Sequence, residues 1–297
     1  MPMNKLSSAE RARTLQLLCE GMSIRAVCRV TGASKNTVVK LLGTAGAALG
    51  AYQDEAFRDL TCKRVQVDEI WSFVYAKAKN VAKAKSAPEG AGDAWTWTAI
   101  DADTKLVFSL LVGDRTADTA FDFLSDVRTR IEGRFQLTSD GHRAYMVASQ
   151  AAFGYDEVDF AQLVKIYGAP EKGRTPEARY SPSPCIGTET KVRLGNPDAA
   201  HISTSYVERQ NLTMRMHMRR FTRLTNGFSK KIDNHVRALA LHFFYYNFVR
   251  IHSTLRVTPA MAAGVTDRLF EMADLVAIVE AAEKKPGKRG PYKKRAA

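Results

Sequence analysis

The 297 residues suffice for a sizeable core and two or three domains, and 44 Lys and Arg against 31 Asp and Glu give a net charge of +13 and an isoelectric point near 9.6. That balance favours a polyanionic partner over a neutral or acidic one. No stretch of about 18 uncharged apolar residues occurs and the amino terminus lacks an apolar signal core, so a membrane-spanning or exported chain is disfavoured and a soluble, cytoplasmic one is expected. Cys19, Cys28, Cys62 and Cys185 are scattered without metal-ligand spacing, as expected of buried or free thiols in a reducing compartment.

Residues 1–60 read as a small helical DNA-binding unit. Ser7-Ser8-Ala9-Glu10 offers a capping signal, and Ala12, Leu15, Leu18 and Cys19 recur at helical spacing up to Gly21. Ser23 to Val30 forms a second helix, Thr31-Gly32-Ala33 a tight turn, and Ser34 to Leu42 a short third helix, the pattern of a helix-turn-helix. In such motifs the amino end of the last helix enters the major groove, which makes Lys35, Asn36 and Thr37 candidates for base or phosphate contact and Lys40 for phosphate. Charge alone does not establish the contact, since eight basic and five acidic groups leave this segment only +3. Any three-helix bundle with one Gly turn has a similar pattern.

Alternation of apolar residues then marks strands at Val65–Val74, Trp95–Ile100 and Leu106–Val112, the last two joined through the turn residues Asp101-Ala102-Asp103-Thr104. Thr116 to Ile131 is helical, with Phe121, Leu124, Val127 and Ile131 on one face. Phe135 to Ser139 is a further short strand, and Gly141 permits a sharp turn that leaves Asp140 exposed. The proline-bearing tract from Ala169 to Ala200 reads as a long irregular loop in which Arg174, Arg179, Lys191 and Arg193 could meet DNA, a solvated loop being the plainer reading. A helix starting near Ser203 carries Glu208, and Ser229 to Asn247 reads as one amphipathic helix whose aromatic end belongs to the core. From Glu208 to Arg237 eight basic groups face two acidic ones. The run from Lys284 to Arg295 is a Lys/Arg tail with Pro and Gly, suited to non-specific phosphate contact, with Lys288 and Arg289 as candidates, or to solubility alone.

Three acidic segments stand out against this basic background: Asp68-Glu69-Ile70-Trp71-Ser72-Phe73-Val74, Asp140-Gly141-His142-Arg143-Ala144-Tyr145, and Glu208-Arg209-Gln210-Asn211-Leu212-Thr213-Met214-Arg215. Asp68 follows the apolar alternation of a strand, Asp140 ends another, and Glu208 lies one turn into a helix, so the three could converge on hard divalent cations. Each also has a plain reading. Asp68 and Glu69 could close a strand, Asp-Gly is a common turn signal, and Ser205 with Glu208 could form a capping box.

In order and in flanking residues, these segments resemble the catalytic core of the DDE transposases of the insertion sequence one family. The likeness runs from about residue 64 to about residue 250 and includes Gly227-Phe228-Ser229-Lys230. The resemblance implies an α/β, ribonuclease-H-like mixed sheet with flanking helices, in which Asp68, Asp140 and Glu208 form the catalytic triad and hold two Mg²⁺ ions, Mn²⁺ being a possible substitute. It makes Arg215 the basic residue two turns beyond Glu208, on the same helical stripe. Arg219 and Arg220 follow as further DNA-binding candidates. Family members often carry a Cys-x-x-Cys zinc module at the amino end, which this sequence lacks, so its mode of end recognition does not carry over.

The expected organisation is a helix-turn-helix domain at 1–60, a catalytic domain with basic helices at 61–255, a helical segment at 256–283 and a basic tail at 284–297. The expected partners are double-stranded DNA, as terminal inverted repeats and as target, and a second copy of the chain, since two ends must be paired; no membrane is expected. Two other functions fit the same sequence: a non-catalytic DNA-binding regulator derived from a transposase, and a ribonuclease-H-like nuclease without strand transfer.

Overall fold

The computed structural model of the chain describes residues 5–154, 156–168, 183–222 and 225–283. Three helices open it, each begun by a serine that accepts a hydrogen bond from the first turn. Ser7 caps α1 (Ser8–Cys19) in a reciprocal capping box with Glu10, Ser23 caps α2 (Ile24–Thr31), and Ser34 caps α3 (Lys35–Ala56). Gly32, at φ 73°, ends α2 in the left-handed conformation that glycine adopts without steric cost.

The third helix is much longer than the short one expected at 34–42. Gly43 reads locally as a stop, but tertiary packing carries the helix through it. The small residues from Gly43 to Gly50 let α3 lie directly against α8 (Ile232–Phe244). A Cβ on Gly46 would lie 2.2 Å from the Arg237 carbonyl oxygen, so the two backbones touch there. Gln53 stitches the pair by donating from Nε2 to Leu49 O and to Ala240 O, both at 3.0 Å.

Six strands form one mixed sheet in the order β3-β2-β1-β4-β5-β6. They are β1 (Arg64–Val74), β2 (Gly92–Asp101), β3 (Val107–Gly113), β4 (Phe135–Ser139), β5 (Val158–Tyr167) and β6 (Cys185–Leu194). β1, β2 and β3 are antiparallel neighbours, β1–β4 and β4–β5 are parallel, and β5–β6 is antiparallel. A short α4 (Ala78–Val81) lies in the β1–β2 connection. One face of the sheet is covered by α5 (Ala117–Arg130) and α6 (Arg143–Ala152), and α7 (Ser205–His217) packs on β1 and β2.

Several sequence expectations are corrected here. On α5 the buried face is Ala120, Phe123, Leu124 and Val127, whereas Phe121 is exposed. Within the tract expected to be irregular, Cys185–Leu194 is an edge strand; it is open to solvent along most of its length, so no apolar alternation marks it. The neighbouring strand β5 had not been anticipated either. The helix expected from 229 begins at Ile232, because Ser229 is engaged with β1: its carbonyl accepts from Tyr75 N at 2.8 Å. That helix passes at Tyr245 into a π-helical turn, Tyr245–Val249, and the aromatic run is core as expected, with Phe243, Phe244 and Phe248 fully buried. Cys19 and Cys62 are buried and all four cysteines are free.

Helices α1 and α3 share the hydrophobic core of the sheet. α1 packs on α10 (Met272–Ala282), which follows the short α9 (Pro259–Ala262), and α3 lies against both α8 and α10. Arg11 and Lys5 both reach Glu283, at 2.8 and 2.6 Å. Among the described residues no helix is long and apolar enough to cross a membrane.

The α3–α8 contact makes two glycine substitutions differ in sign. Gly46→Ala forces a methyl into the Arg237 backbone and is expected to destabilise by about 1–3 kcal/mol or more. Gly50→Ala places its methyl 3.5 Å from Ala240 Cβ, an ordinary contact, and should stabilise by up to about 1 kcal/mol through helix propensity. Urea denaturation of both variants checks the pair; equal effects would show that α3 does not press on α8 at Gly46.

Candidate metal centre

The site begins with strand register. β1 and β4 run parallel with Val67 opposite Ser139, so the next residues along each, Asp68 and Asp140, come level. Asp68 lies within β1, which runs on to Val74, and not at a strand end. Its neighbour Glu69 points to the opposite face, as successive strand residues do. Carboxylate oxygens of Asp68, Glu69 and Asp140 nevertheless all lie within 4.8 Å of one another. Asp140 follows the last residue of β4, where the strand no longer separates the two faces.

Each carboxylate is held by its own partners. Asp68 accepts from the Glu69 amide at 2.9 Å and, through Oδ2, from Asn211 Nδ2 on α7 at 2.7 Å. Asp140 Oδ1 accepts from His142 N at 2.9 Å, and the Asp140 carbonyl accepts from Gln162 Nε2 at 2.8 Å. The following Gly141 presses on β5, where a Cβ would come 3.0 Å from Val164. On the far face Glu69 Oε1 meets Arg115 at 2.6 Å, and the side chain is only 1% exposed. Tyr145 of α6 is fully buried with its hydroxyl turned toward Glu69; neither that hydroxyl nor Glu69 Oε2 closes a hydrogen bond.

Electrostatically the trio is short of positive charge, Arg115 offsetting only part of it. Burial, then the charges of Glu69 and Asp140, push the Asp68 carboxyl up to about 7. Burial and Asp140 likewise push Glu69 up to about 7, against the opposing effect of Arg115. Burial and the same carboxylates raise the Tyr145 phenol well above its ordinary value. Three crowded oxygens and an unpartnered Glu69 oxygen suit a hard divalent cation, which takes carboxylate oxygens and keeps waters in its remaining positions.

Glu208 is placed differently from the sequence expectation. It sits on α7, but both its oxygens are held by Lys165 Nζ of β5, at 2.6 and 2.5 Å, and Oε1 also accepts from Thr204 Oγ1 at 2.6 Å. The cap residue of α7 is Thr204, so the alternative of a Ser205 capping box is not realised. The structure thus brings together Asp68 and Asp140 of the expected triad, with Glu69 in the third place. Glu69, Asn211, Arg115, Tyr145 and Lys165 received no role from sequence. Acid next to acid within an apolar strand was the available signal for Glu69, since one of two adjacent side chains must face the core; nothing local marks Lys165.

Of the DNA-binding candidates, Lys35, Asn36 and Lys40 are exposed at the start of α3, while the Thr37 hydroxyl is engaged with the cap residue Ser34 at 2.9 Å. Arg215 is half-buried on the same helix as Glu208, and Arg219 is exposed. Arg220 turns inward: its Nε donates to Ser229 Oγ at 2.7 Å, and burial lowers its pKa to about 10. Its side chain is thus engaged within the fold and only partly exposed. In the former loop Arg193 donates to Gln162 at 2.9 Å and Lys191 pairs with Glu189 at 3.1 Å. Arg174, Arg179, Lys288 and Arg289 lie outside the described residues.

No family model and no curated protein matches the chain. Solved structures similar to it at low identity include two transposase complexes. A piggyBac transposase synaptic complex with hairpin DNA shares 9% identity, covering 92% of this chain and 69% of that one, with a TM-score of 0.42. A Mos1 transposase paired-end complex with left transposon end shares 13% identity, covering 50% of this chain and 56% of that one, with a TM-score of 0.20. Likeness at this level carries no weight for activity, which rests on the residues themselves.

The raised carboxyls give the site a pH signature. Carboxyls that ionise near 4 in the unfolded chain and near 7 in the folded one contribute stability that is complete below about 4 and lost as pH rises through about 7. In metal-free buffer the unfolding temperature is expected to drop by a few degrees between about pH 5 and about pH 8. Mg²⁺ or Mn²⁺ should restore it at the upper pH, and Asp68→Asn should flatten both responses. Calorimetry across pH decides, and indifference to either cation at high pH would remove the trio as a metal centre.

Proposed function

We propose that the chain is a DDE-type DNA transposase that binds the terminal inverted repeats of its element and catalyses metal-dependent cleavage and strand transfer. One observation carries the reading: a +13 chain concentrates three carboxylates within 4.8 Å at adjoining strands. The sheet order, with two antiparallel neighbours on one side of β1 and parallel β4 and β5 on the other, supports the ribonuclease-H-like arrangement implied by the resemblance.

Two Mg²⁺ ions, when bound, would supply an activated oxygen nucleophile and shield the charge of the phosphate. Asp68 and Asp140 would hold them, Glu69 offering the third carboxylate as the chain stands. Glu208 can join only by leaving Lys165, and Lys165 would then be released beside the same phosphate. Asn211 orients Asp68 from α7, and Arg115 orients Glu69 from the far face. Arg215, Arg219 and the exposed start of α3 would meet the DNA backbone and the terminal repeat, with a dimer pairing two ends in the cytoplasm. The engagement of Glu208 by Lys165 is the one observation that favours a non-catalytic regulator instead; a nuclease without strand transfer is the rival among enzymes.

Asp68→Asn and Asp140→Asn should each lower Mg²⁺-dependent cleavage of a duplex bearing the repeats by more than about 100-fold, the upper effect of losing a mere supporting group, while folding and DNA binding persist. Glu208→Gln and Glu69→Gln then decide the third ligand. Loss with the first and near-wild-type cutting with the second assigns Glu208; the reverse assigns Glu69. Absence of cutting by the wild type under Mg²⁺ or Mn²⁺ supports the regulator, and cutting without joining supports the nuclease.

Recognition is tested separately. Replacing Lys35 and Asn36 by Ala should weaken binding to the terminal repeat more than to random duplex, each good base contact being worth about 1–3 kcal/mol. Equal weakening on both duplexes would show that α3 is not the reader.

A further inference from the structure

α7 has two working flanks. At about 100° per residue, Glu208, Asn211 and Arg215 form one stripe, and Tyr206, Arg209, Thr213 and His217 form another on the opposite side, with the buried Val207 and Met214 between them. The first stripe borders the carboxylates. The second lines a cavity of about 400 Å³ closed by Lys105 from the β2–β3 turn, by Tyr246 of the π-helical turn and by residues 250–254 after it.

The chemistry of this cavity is one-sided. Lys105, Arg209 and Arg250 line it together with His217 and His252, and no carboxylate does. None of the three cations is paired with a carboxylate among the described residues. Lys105 Nζ lies 3.2 Å from the centre of the Tyr206 ring and donates to the Ala102 carbonyl; Arg250 Nη1 donates to His217 Nε2 at 2.7 Å, which keeps that imidazole neutral. Burial and the charges of Lys105, Arg250 and Arg209 all depress the protonation of His252, the mark of an uncompensated positive field. The nearest opposing groups are Glu20, which acts on His217 and accepts from Tyr245, and Asp101, which acts toward Lys105 from the turn.

We propose that this cavity binds a phosphate group, presented by a nucleic-acid strand or by a free nucleotide. Two guanidinium forks and an ammonium match phosphate oxygens, and the exposed Tyr206 ring beside them suits an attached base. On the DNA reading the strand is the source, and the inference then rests on that reading. A helix is about 10 Å across. A strand whose reacting phosphate lies at the carboxylates would cross α7 and set a phosphate a few nucleotides away into the cavity.

The test has two arms on the full chain. In the first, inorganic phosphate and deoxyadenosine monophosphate are titrated while the histidine ring resonances are followed, that of His252 being assigned with His252→Gln. The His252 resonance is expected to move and its pKa to rise, and the response should vanish in Arg209→Gln/Arg250→Gln. No response in the wild type overturns the proposal, whether or not the chain binds DNA. In the second arm a labelled oligonucleotide is bound across a salt series by that variant and by Lys79→Gln/Lys83→Gln, which removes the same charge from an exposed stretch with no assigned role. At least about tenfold weakening and a salt slope reduced by about two in the first variant alone identify a nucleic-acid strand as the source. If the phosphate response is present and the two variants bind the oligonucleotide alike, the cavity serves a free nucleotide. In that case the phosphate site stands and its link to DNA falls.

Discussion

When β1 and β4 pair in parallel with Val67 opposite Ser139, Asp68 and Asp140 are carried to one level, and the surrounding groups must accommodate their like charges. A parallel register is fixed by the buried faces of both strands, so the repulsion cannot be relieved by slipping a residue without exposing Val65, Val67 and Leu137. The chain therefore responds locally. Asn211 donates to Asp68, Arg115 neutralises part of Glu69, and the remaining excess appears as carboxyls that resist ionisation. A cation fits this arrangement because it supplies the charge that the protein withholds.

α7 mediates between that negative centre and the basic remainder. Its core-facing residues seat it on β1 and β2, one flank carries Asn211 and Glu208, and the other carries Arg209 and His217. Glu208 and Arg209 thus lie on different flanks of a single rigid element. Lys165 and Glu208 pair where the two systems meet on α7, and both side chains are partly exposed, so the pair is weak by nature.

Much of this was legible in the sequence, and the limits follow a physical pattern. The caps at Ser7, Ser23 and Ser34 are local interactions between residues three apart, so sequence spacing reveals them. β1 and β4 bury apolar residues in alternation and could be placed within a residue. The edge strand β6 buries almost nothing and left no pattern; the full length of α3 depends on a partner helix far along the chain. The resemblance proposed Glu208 for the site; the strand faces set Glu69 beside Asp68 and Asp140, and Lys165 holds Glu208, neither of which spacing encodes. Arg220 shows the same limit, since a basic residue in a basic run gives no hint that Ser229 holds it inside.

The packing of α3 has a further consequence for how the chain is made. Its apolar face, with Leu42, Ala45 and Leu49, packs chiefly against α8 and α10, and roughly 175 residues separate the end of α3 from the start of α8. At about 5–20 residues per second, synthesis leaves the side that meets α8 uncovered for roughly 9 to 35 s. During this interval the first helices are exposed to whatever apolar surface they meet, including the same helices of a neighbouring nascent chain. A molecular chaperone that holds residues 35–56 until α8 emerges would thus act on the yield of this protein rather than on its final stability.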